Sequence, residues 1–145
     1  MSKTTPTAQC DHLFVYGTLR RAIAPSKDLR HLLHHEAEFL GSATVPGRLY
    51  NIGSYPGLIL SENPVEIVTG ELYKIKDKRV VLNTFDQYEG CVEPFPKPWE
   101  YLRVSTAVTT NEGVKMLSWL YTYQWEVKEK MRIKSGDYLE FLSKS

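Results

Sequence analysis

The sequence predicts an α+β fold: a small β-barrel, mostly antiparallel or mixed, of about six strands flanked by two to three short helices. Short runs of β-branched and aromatic residues recur along the chain, separated by turns rich in glycine and proline. Two segments show instead the spacing of an amphipathic helix. Because short turns join neighbouring strands, the sheet is expected to be mostly antiparallel and to curl on itself.

The first half of the chain contains a strand, a helix and a strand-rich segment. A loose tail is expected over residues 1–10, followed by the first strand at residues 12–16. Ser26 is the expected N-cap of the first helix, whose leucines share one face. Strands with bends are predicted over residues 36–62, with a turn at "SYPG".

The second half has clearer boundaries. Residues 66–75 alternate with a period of two, which predicts a strand. Asp77 is placed to cap a helix that ends at Gly90. Two long strands are predicted at residues 101–109 and 114–125, joined by the turn "TNEG", and "SGDYLEFLS" is expected to close the chain with a helical turn or two.

Length and charge restrict the class of protein. With 145 residues, the chain is expected to be a single domain with its own core. Lys and Arg number 18 against 17 Asp and Glu, a net charge of +1. That balance gives no electrostatic reason to expect nucleic acid or an anionic membrane as a partner.

Cysteine content and hydropathy indicate the cellular compartment in which the protein is expected. The two cysteines, Cys10 and Cys91, have no metal-ligand spacing and form no disulfide framework, so a reducing environment is expected. The N-terminus "MSKTTPTAQCDH" is polar, and no apolar run approaches the length of about 20 residues that spans a bilayer. A soluble, cytoplasmic protein is the expectation.

Several common catalytic motifs are missing from the sequence. It contains neither a GxxxxGK[ST] nor a GxGxxG phosphate loop, and no G-x-S-x-G elbow. His31, His34 and His35 lie at i, i+3 and i+4 on the first helix, but no third ligand is indicated, which favours a solvated helix face over a metal site. Because the chain has only four histidines, a carboxylate is the expected proton carrier.

Glu89 is the most suggestive carboxylate. It follows Phe85 and Tyr88 at the end of the second helix and precedes Gly90. Aromatic neighbours would strip water from the carboxylate and raise its pKa towards a value useful for moving protons. The helix C-terminus acts in the same direction, because the carbonyl end of the helix dipole disfavours added negative charge. On pattern alone, an ordinary surface glutamate in the last helical turn remains the alternative.

Two other candidate catalytic residues, Glu71 and Cys91, are better explained by structural roles. Glu71 lies in the strand "TGELY", where alternation places it on the wet face of the sheet. Cys91 follows Gly90 without an obvious base partner, so a small buried hydrophobic residue is the better interpretation.

The heptapeptide "FVYGTLR", residues 14–20, joins the end of a strand to a loop. Gly17 has no Cβ, so the backbone at this point can approach a ligand closely. Consecutive amide N–H groups there could bind a carboxylate. Taken alone, the motif is equally compatible with a plain turn beside a packed tyrosine.

Six motifs occur in one order along the chain: "FVYGTLR", "PGRLYNIGSYPGLIL", "VTGELYKI", "FDQYEG", "YLRVSTAV" and "WLYTY". Together they closely resemble the γ-glutamylcyclotransferase-like family, also called AIG2-like or BtrG-like, from about residue 12 to residue 142. The resemblance implies a small β-barrel with a cavity at one end. The proline-rich "VEPFPKPWE" is less typical and borders that cavity, so the range of substrates is least certain there.

The resemblance also implies residue roles. Tyr16, Gly17, Thr18 and Leu19 would cradle the α-amino and α-carboxylate end of a γ-glutamyl group, and Glu89 would be the acid/base residue. The residues implied to line or brace the cavity are Tyr101, Arg103 and Tyr121.

The implied activity is a cofactor-independent, amide-cleaving acyltransferase or lyase reaction on a small-molecule γ-glutamyl substrate. The α-amine would attack its own γ-carbonyl and release 5-oxoproline and an amine or amino acid, in a monomer or weak homodimer. The alternative is a non-catalytic protein that binds acidic amino acids or γ-glutamyl compounds on the same fold.

Overall fold

The computed structural model describes residues 10–17 and 27–144, with side chains from residue 31 onward in the second range. Within these ranges it contains seven strands and three helices. The strands are β1 (His12–Val15), β2 (Ala37–Asn51), β3 (Pro56–Leu60), β4 (Ile67–Ile75), β5 (Tyr101–Thr110), β6 (Lys115–Tyr123) and β7 (Met131–Ile133). The helices are α1 (Lys27–Glu36), α2 (Lys78–Glu89) and α3 (Tyr138–Ser143).

Five of the strands form a closed barrel. The hydrogen-bonded order is β2-β4-β1-β6-β5, and β5 pairs again with β2 at Thr109 and Thr110 to complete the ring. All pairs are antiparallel except β1 with β6, which run parallel at Leu13 and Trp119. Strands β3 and β7 add to β2 outside the ring. The α+β barrel prediction is confirmed, with β7 as a short strand that the sequence pattern did not indicate.

Strand β2 is the longest and contacts four others. Its 15 residues pair with β3, β4, β5 and β7. A shift in register between Phe39 and Gly41 bends the strand, and Gly41 adopts φ +112°, which a side chain would disfavour. Residues 37–46 of the strand pair with β4 in the barrel, and residues 47–51 pair with β3 and β7 outside it.

Buried side chains form two clusters on opposite faces of the barrel wall. One cluster joins residues of all five barrel strands, including Phe14, Val68 and Leu72. The other packs Tyr73 and further residues of β1, β4 and β6 against α1 and α2. Strand β4 is therefore covered on both faces. The expectation that Glu71 lies on a wet face is wrong: it is buried, because the helices cover that side.

Helix α2 has the boundaries that its end residues predict. The Asp77 carboxylate accepts a hydrogen bond from the Val80 amide at 3.3 Å. Gly90 ends the helix with φ +74° and donates its N–H to Gln87. The predicted cap of α1, Ser26, lies outside the described residues.

The predicted N-terminal tail can be compared at one residue only, since residues 1–9 lie outside the described ranges. Cys10 is fully buried, and its carbonyl accepts a hydrogen bond from the Trp119 indole at 3.0 Å. The expected loose tail therefore does not extend to Cys10. In the described ranges, no helix combines the length and apolarity that crossing a membrane requires.

Gly70 of β4 is the tightest point between that strand and β1. A Cβ at this position would lie 2.5 Å from the Val15 carbonyl oxygen and 2.6 Å from the Phe14 ring. Because a backbone atom must move, we expect Gly70→Ala to lower the free energy of unfolding by about 1–3 kcal/mol. Urea denaturation measures this. Lys74→Ala, at an exposed position on the same strand, should change it by less than about 0.5 kcal/mol, and equal effects of the two changes would contradict the prediction.

Candidate active site

A cavity of about 350 Å³ opens between the end of β1, the start of β3 and the end of α2. Its walls are mostly aromatic and apolar. The lining residues with polar atoms in their side chains are Tyr16, Tyr55, Tyr88, Glu89, Glu100, Tyr101 and Tyr121. An apolar cavity with a few converging polar groups is typical of a small-molecule site.

Glu89 lines this cavity as the last residue of α2. Phe85, four residues earlier, is buried against the barrel, so the two side chains share one face of the helix. None of the described residues donates a hydrogen bond to the Glu89 carboxylate. Burial, together with the negative charge of Glu100, raises the pKa of Glu89 to about 7. A carboxyl group that titrates near neutral pH can both accept and donate a proton.

Tyr16 and Gly17 line the cavity together with Glu89. The Tyr16 hydroxyl donates to the Tyr121 carbonyl at 2.5 Å and accepts from the Leu58 amide at 3.3 Å. Burial and the nearby charge of Glu89 raise the pKa of Tyr16, so the phenol stays neutral. Its hydroxyl thus joins β1, β3 and β6 at the cavity.

The backbone at Gly17 approaches β3 closely. A Cβ there would lie 3.0 Å from the Pro56 ring, so a larger residue at this position would require the ring to shift by a few tenths of an ångström. Thr18 and Leu19, the other two residues predicted to bind substrate, lie outside the described residues.

Tyr101 and Tyr121 both line the cavity, whereas Arg103 does not. The Tyr101 hydroxyl donates to the Pro56 carbonyl at 2.6 Å, which fixes the start of β3. Arg103 forms two hydrogen bonds to Asp86, at 2.8 and 3.1 Å, and its guanidinium lies over the Trp119 ring. The resemblance implied that Arg103 either lines or braces the cavity. Its bonds to Asp86 on α2 fit the second role.

Asp86 is a site residue that the sequence did not single out. Besides the Arg103 pair, its carboxylate accepts a hydrogen bond from the Tyr121 hydroxyl at 2.6 Å. Asp86 lies three residues before Glu89 on α2, so these bonds hold the end of the helix against β5 and β6. The motif "FDQYEG" contains it, but nothing in that pattern distinguishes its carboxylate from a solvated one.

Glu100 and Tyr55 were also not predicted. The Tyr55 hydroxyl donates to Glu100 Oε2 at 2.5 Å, and burial with this bond raises the pKa of Tyr55 to about 12. Glu100 immediately precedes β5, at the end of the proline-rich segment expected to border the cavity. The position of this proline-rich segment beside the cavity was the one sequence signal that pointed towards Glu100, although it does not single out that residue.

The candidate metal ligands on α1 are exposed to solvent. The rings of His34 and His35 contact each other with centroids 5.2 Å apart, and His31 lies 6.2 Å from His35. In the part of the chain that the structure describes, no three His, Cys, Asp or Glu side chains are grouped to hold a metal ion.

Comparison with known proteins agrees with this geometry. A model of the family described as gamma-glutamyl cyclotransferase, AIG2-like, matches residues 13–140. The chain belongs to this family. The match covers the barrel, α2 and the cavity residues, which confirms the resemblance seen in the sequence.

Two relatives and one solved structure illustrate the similarity. A gamma-glutamylaminecyclotransferase of Rattus norvegicus is 29% identical over 103 residues, 64% of each chain. A Vibrio cholerae protein, provisionally named a gamma-glutamylcyclotransferase, is 32% identical over 130 residues, 88% of this chain and 95% of that one. The crystal structure of an AIG2-like protein of Mus musculus superposes with a TM-score of 0.64 at 27% identity, covering 82% of this chain and 80% of that chain.

Some relatives are longer than the matched region. This chain spans 64% of the rat protein and 42% of the solved YkqA chain of Bacillus subtilis.

The raised pKa of Glu89 predicts a pH-dependent cost to stability. The carboxyl is protonated in both folded and unfolded states below pH 4.5, and ionised in both above about pH 7, so the fold loses stability as pH rises between these values. Glutamine at position 89 does not titrate. The free energy of unfolding of Glu89→Gln, minus that of the wild type, should therefore increase by up to about 3 kcal/mol from pH 4 to pH 8. Urea denaturation at the two pH values measures the difference, and an equal difference at both would contradict it.

Proposed function

We propose that the protein is a γ-glutamyl cyclotransferase-type enzyme. It converts a γ-glutamyl amine or γ-glutamyl amino acid into 5-oxoproline and the free amine. The observation that carries this proposal is the Glu89 carboxyl, with its pKa raised to about 7, in the same cavity as the Tyr16–Gly17 turn. Membership of the cyclotransferase family and the names of the rat and Vibrio cholerae relatives support the same reaction class.

The glutamyl end of the substrate binds at the turn after β1. We assign the α-carboxylate to the backbone N–H groups of Tyr16, Gly17, Thr18 and Leu19, because successive amides can bind an anion; the structure describes the first two of these residues. This position leaves the α-amine free to face Glu89. The aromatic walls at Tyr101 and Tyr121 keep the aliphatic part of the glutamyl chain folded, and Arg103 acts through Asp86 to keep those walls in place.

Ring closure is an internal acyl transfer. Glu89 takes a proton from the α-ammonium, and the amine nitrogen attacks the γ-carbonyl carbon to form a five-membered ring. The bond from that carbon to the original amide nitrogen then breaks, and Glu89 returns a proton to the departing nitrogen. Glu89 carries a second proton from the ring nitrogen to the released amine in the same way, so protons balance and no water is consumed.

The main contribution of the protein to this reaction is orientation. Nucleophile and electrophile already belong to one molecule, so the cavity has to hold the chain in the ring-closing conformation. Orientation of this kind can lower a barrier by about 7–11 kcal/mol. The walls also remove water from around the Glu89 carboxylate, which strengthens its interactions with the substrate.

Glu89→Gln tests the proposal directly. The amide cannot accept the proton, so release of 5-oxoproline from a panel of γ-glutamyl compounds should fall by at least about 100-fold. The control is Glu71→Gln, a buried glutamate outside the cavity lining, which should keep its turnover. Circular dichroism of each variant checks the fold.

The outcomes distinguish a catalytic Glu89 from two alternatives. Turnover retained in Glu89→Gln removes Glu89 from the reaction. Tight binding of γ-glutamyl compounds by the wild type, without release of 5-oxoproline from any of them, would favour the non-catalytic binding protein instead.

The pH profile gives a second test. Because the base must be ionised, kcat/KM should fall about tenfold per pH unit below an apparent pKa of about 7. Glu100→Gln removes a negative charge that raises this pKa, so the acid limb should shift to lower pH. An acid limb unmoved in Glu100→Gln would mean that a substrate group, rather than Glu89, sets the profile.

A further inference from the structure

The turn between β2 and β3, residues 52–55, leads directly into the cavity wall. Tyr55 and Pro56 line the cavity, whereas Gly53 and Ser54, just before them, are exposed to solvent. Within the turn, the Ile52 amide donates to the Tyr55 carbonyl at 2.9 Å. That bond fixes the shape of the turn, but it does not fix the position of the turn against the barrel.

A hydrogen bond from a distant part of the chain supplies this attachment. The Tyr138 hydroxyl donates to the Ser54 carbonyl at 3.3 Å, across 84 positions of sequence. From outside residues 51–56, Tyr138 is the one residue in the described part of the chain that forms a hydrogen bond to Gly53 or Ser54. Burial raises the pKa of Tyr138, so the phenol keeps the proton that it donates.

Tyr138 is held in a fixed position by its own surroundings. It is the first residue of α3, is 3% exposed and belongs to the buried cluster of the barrel strands. The Asp137 carboxylate caps α3 by accepting a hydrogen bond from the Leu139 amide at 3.0 Å. One residue earlier, the Gly136 carbonyl accepts from the Thr69 amide of β4 at 2.7 Å. The Tyr138 hydroxyl is therefore a rigid attachment point for the turn.

Two other buried tyrosine hydroxyls bond the residues that follow the turn. Tyr101 donates to the Pro56 carbonyl at 2.6 Å, and Tyr16 accepts from the Leu58 amide at 3.3 Å. Both of these tyrosines line the cavity, whereas Tyr138 does not. Removing the Tyr138 hydroxyl thus changes the support of the wall without altering a residue that faces the substrate.

We propose that Tyr138 is a positioning residue for the reaction, which holds the turn between β2 and β3 in place through the Ser54 carbonyl. The turn then presents Tyr55 and Pro56 to the cavity. The Tyr138 hydroxyl increases the fraction of molecules whose cavity is complete, and the apparent affinity for substrate is proportional to that fraction. Once substrate is bound, the chemical step takes place in the same complete cavity. This inference rests on the proposed function and adds to it a residue outside the cavity.

Tyr138→Phe tests the inference, because it keeps the buried ring and removes the hydroxyl. For γ-glutamyl butylamide, KM should rise about three- to tenfold, since one hydrogen bond that holds the wall is lost. The value of kcat should stay within about twofold of the wild type, because the lost interaction affects binding alone. Release of 5-oxoproline at 25 °C, where circular dichroism shows each protein to be folded, measures both constants.

The matched control is Tyr73→Phe. It removes another buried tyrosine hydroxyl, which donates to Glu71 Oε1 at 3.2 Å and lies outside the cavity lining. This change should lower the free energy of unfolding but leave KM and kcat within about twofold of the wild type. A role in stability alone would give the same pattern for Tyr138→Phe, so KM distinguishes positioning from stability.

Hydrogen exchange tests the physical step without a substrate. The amides of Ile52 and Leu58 report on the turn and on the strand that follows it, because both donate hydrogen bonds there. In Tyr138→Phe they should exchange about three- to tenfold faster than in the wild type, since local opening is no longer opposed by the Ser54 bond. In Tyr73→Phe their rates should match the wild type.

The outcomes separate this inference from the proposed function. A KM unchanged in Tyr138→Phe, a KM raised equally in Tyr73→Phe, or unchanged exchange at Ile52 and Leu58 overturns the positioning role and leaves the cyclotransferase reaction intact. If the wild type releases no 5-oxoproline, the proposed function fails. Titration calorimetry with the same amide then decides: weaker binding by Tyr138→Phe alone supports the inference, and equal binding, or no binding by any of the proteins, overturns it.

Discussion

The hydrogen bonds to the Asp86 carboxylate are the interactions on which the arrangement of the site depends. Arg103 and Tyr121 are directly paired neighbours on β5 and β6, so both side chains reach the same point on the barrel surface. Asp86 accepts hydrogen bonds from both and thereby ties the last turn of α2 to two strands. Charge-assisted hydrogen bonds of this kind each contribute about 1.5–3 kcal/mol. These bonds fix the position and orientation of the end of α2 relative to β5 and β6. Glu89, three residues after Asp86, then faces the cavity.

The barrel then determines the chemistry of Glu89. Its walls remove water from the carboxylate without supplying a hydrogen-bond donor from the described residues, and Glu100 adds a like charge. Both effects favour the protonated form, so the group titrates near neutral pH. The ionised form is costly for the fold, which is a conflict between stability and reactivity often found at functional sites. The bonds of Asp86, Tyr16 and Tyr101 lie around the cavity and offset that cost.

Local patterns predicted those elements that local interactions stabilise. Helix α2 was predicted with its ends because Asp77 and Gly90 act on adjacent backbone groups. The short strand β7 was not predicted, because it has only three residues and exists through pairing with residues 49–51 of β2. Glu71 was assigned to solvent because alternation shows which residues share a face. It does not show that helices cover one face of β4 while the barrel core covers the other.

Sequence alone was enough for the barrel class, for helix α2, and for Glu89 and Gly17 as candidates, because each leaves a pattern within a few neighbouring residues. The tertiary structure was needed to bring Glu89 and Gly17 to one cavity, to pair Asp86 with Arg103, and to bring Glu100 beside Tyr55. Those pairs are separated by 17 to 72 positions in the sequence. Burial and charge act through space, so the pKa of a carboxyl group depends on which distant residues the folded chain places around it.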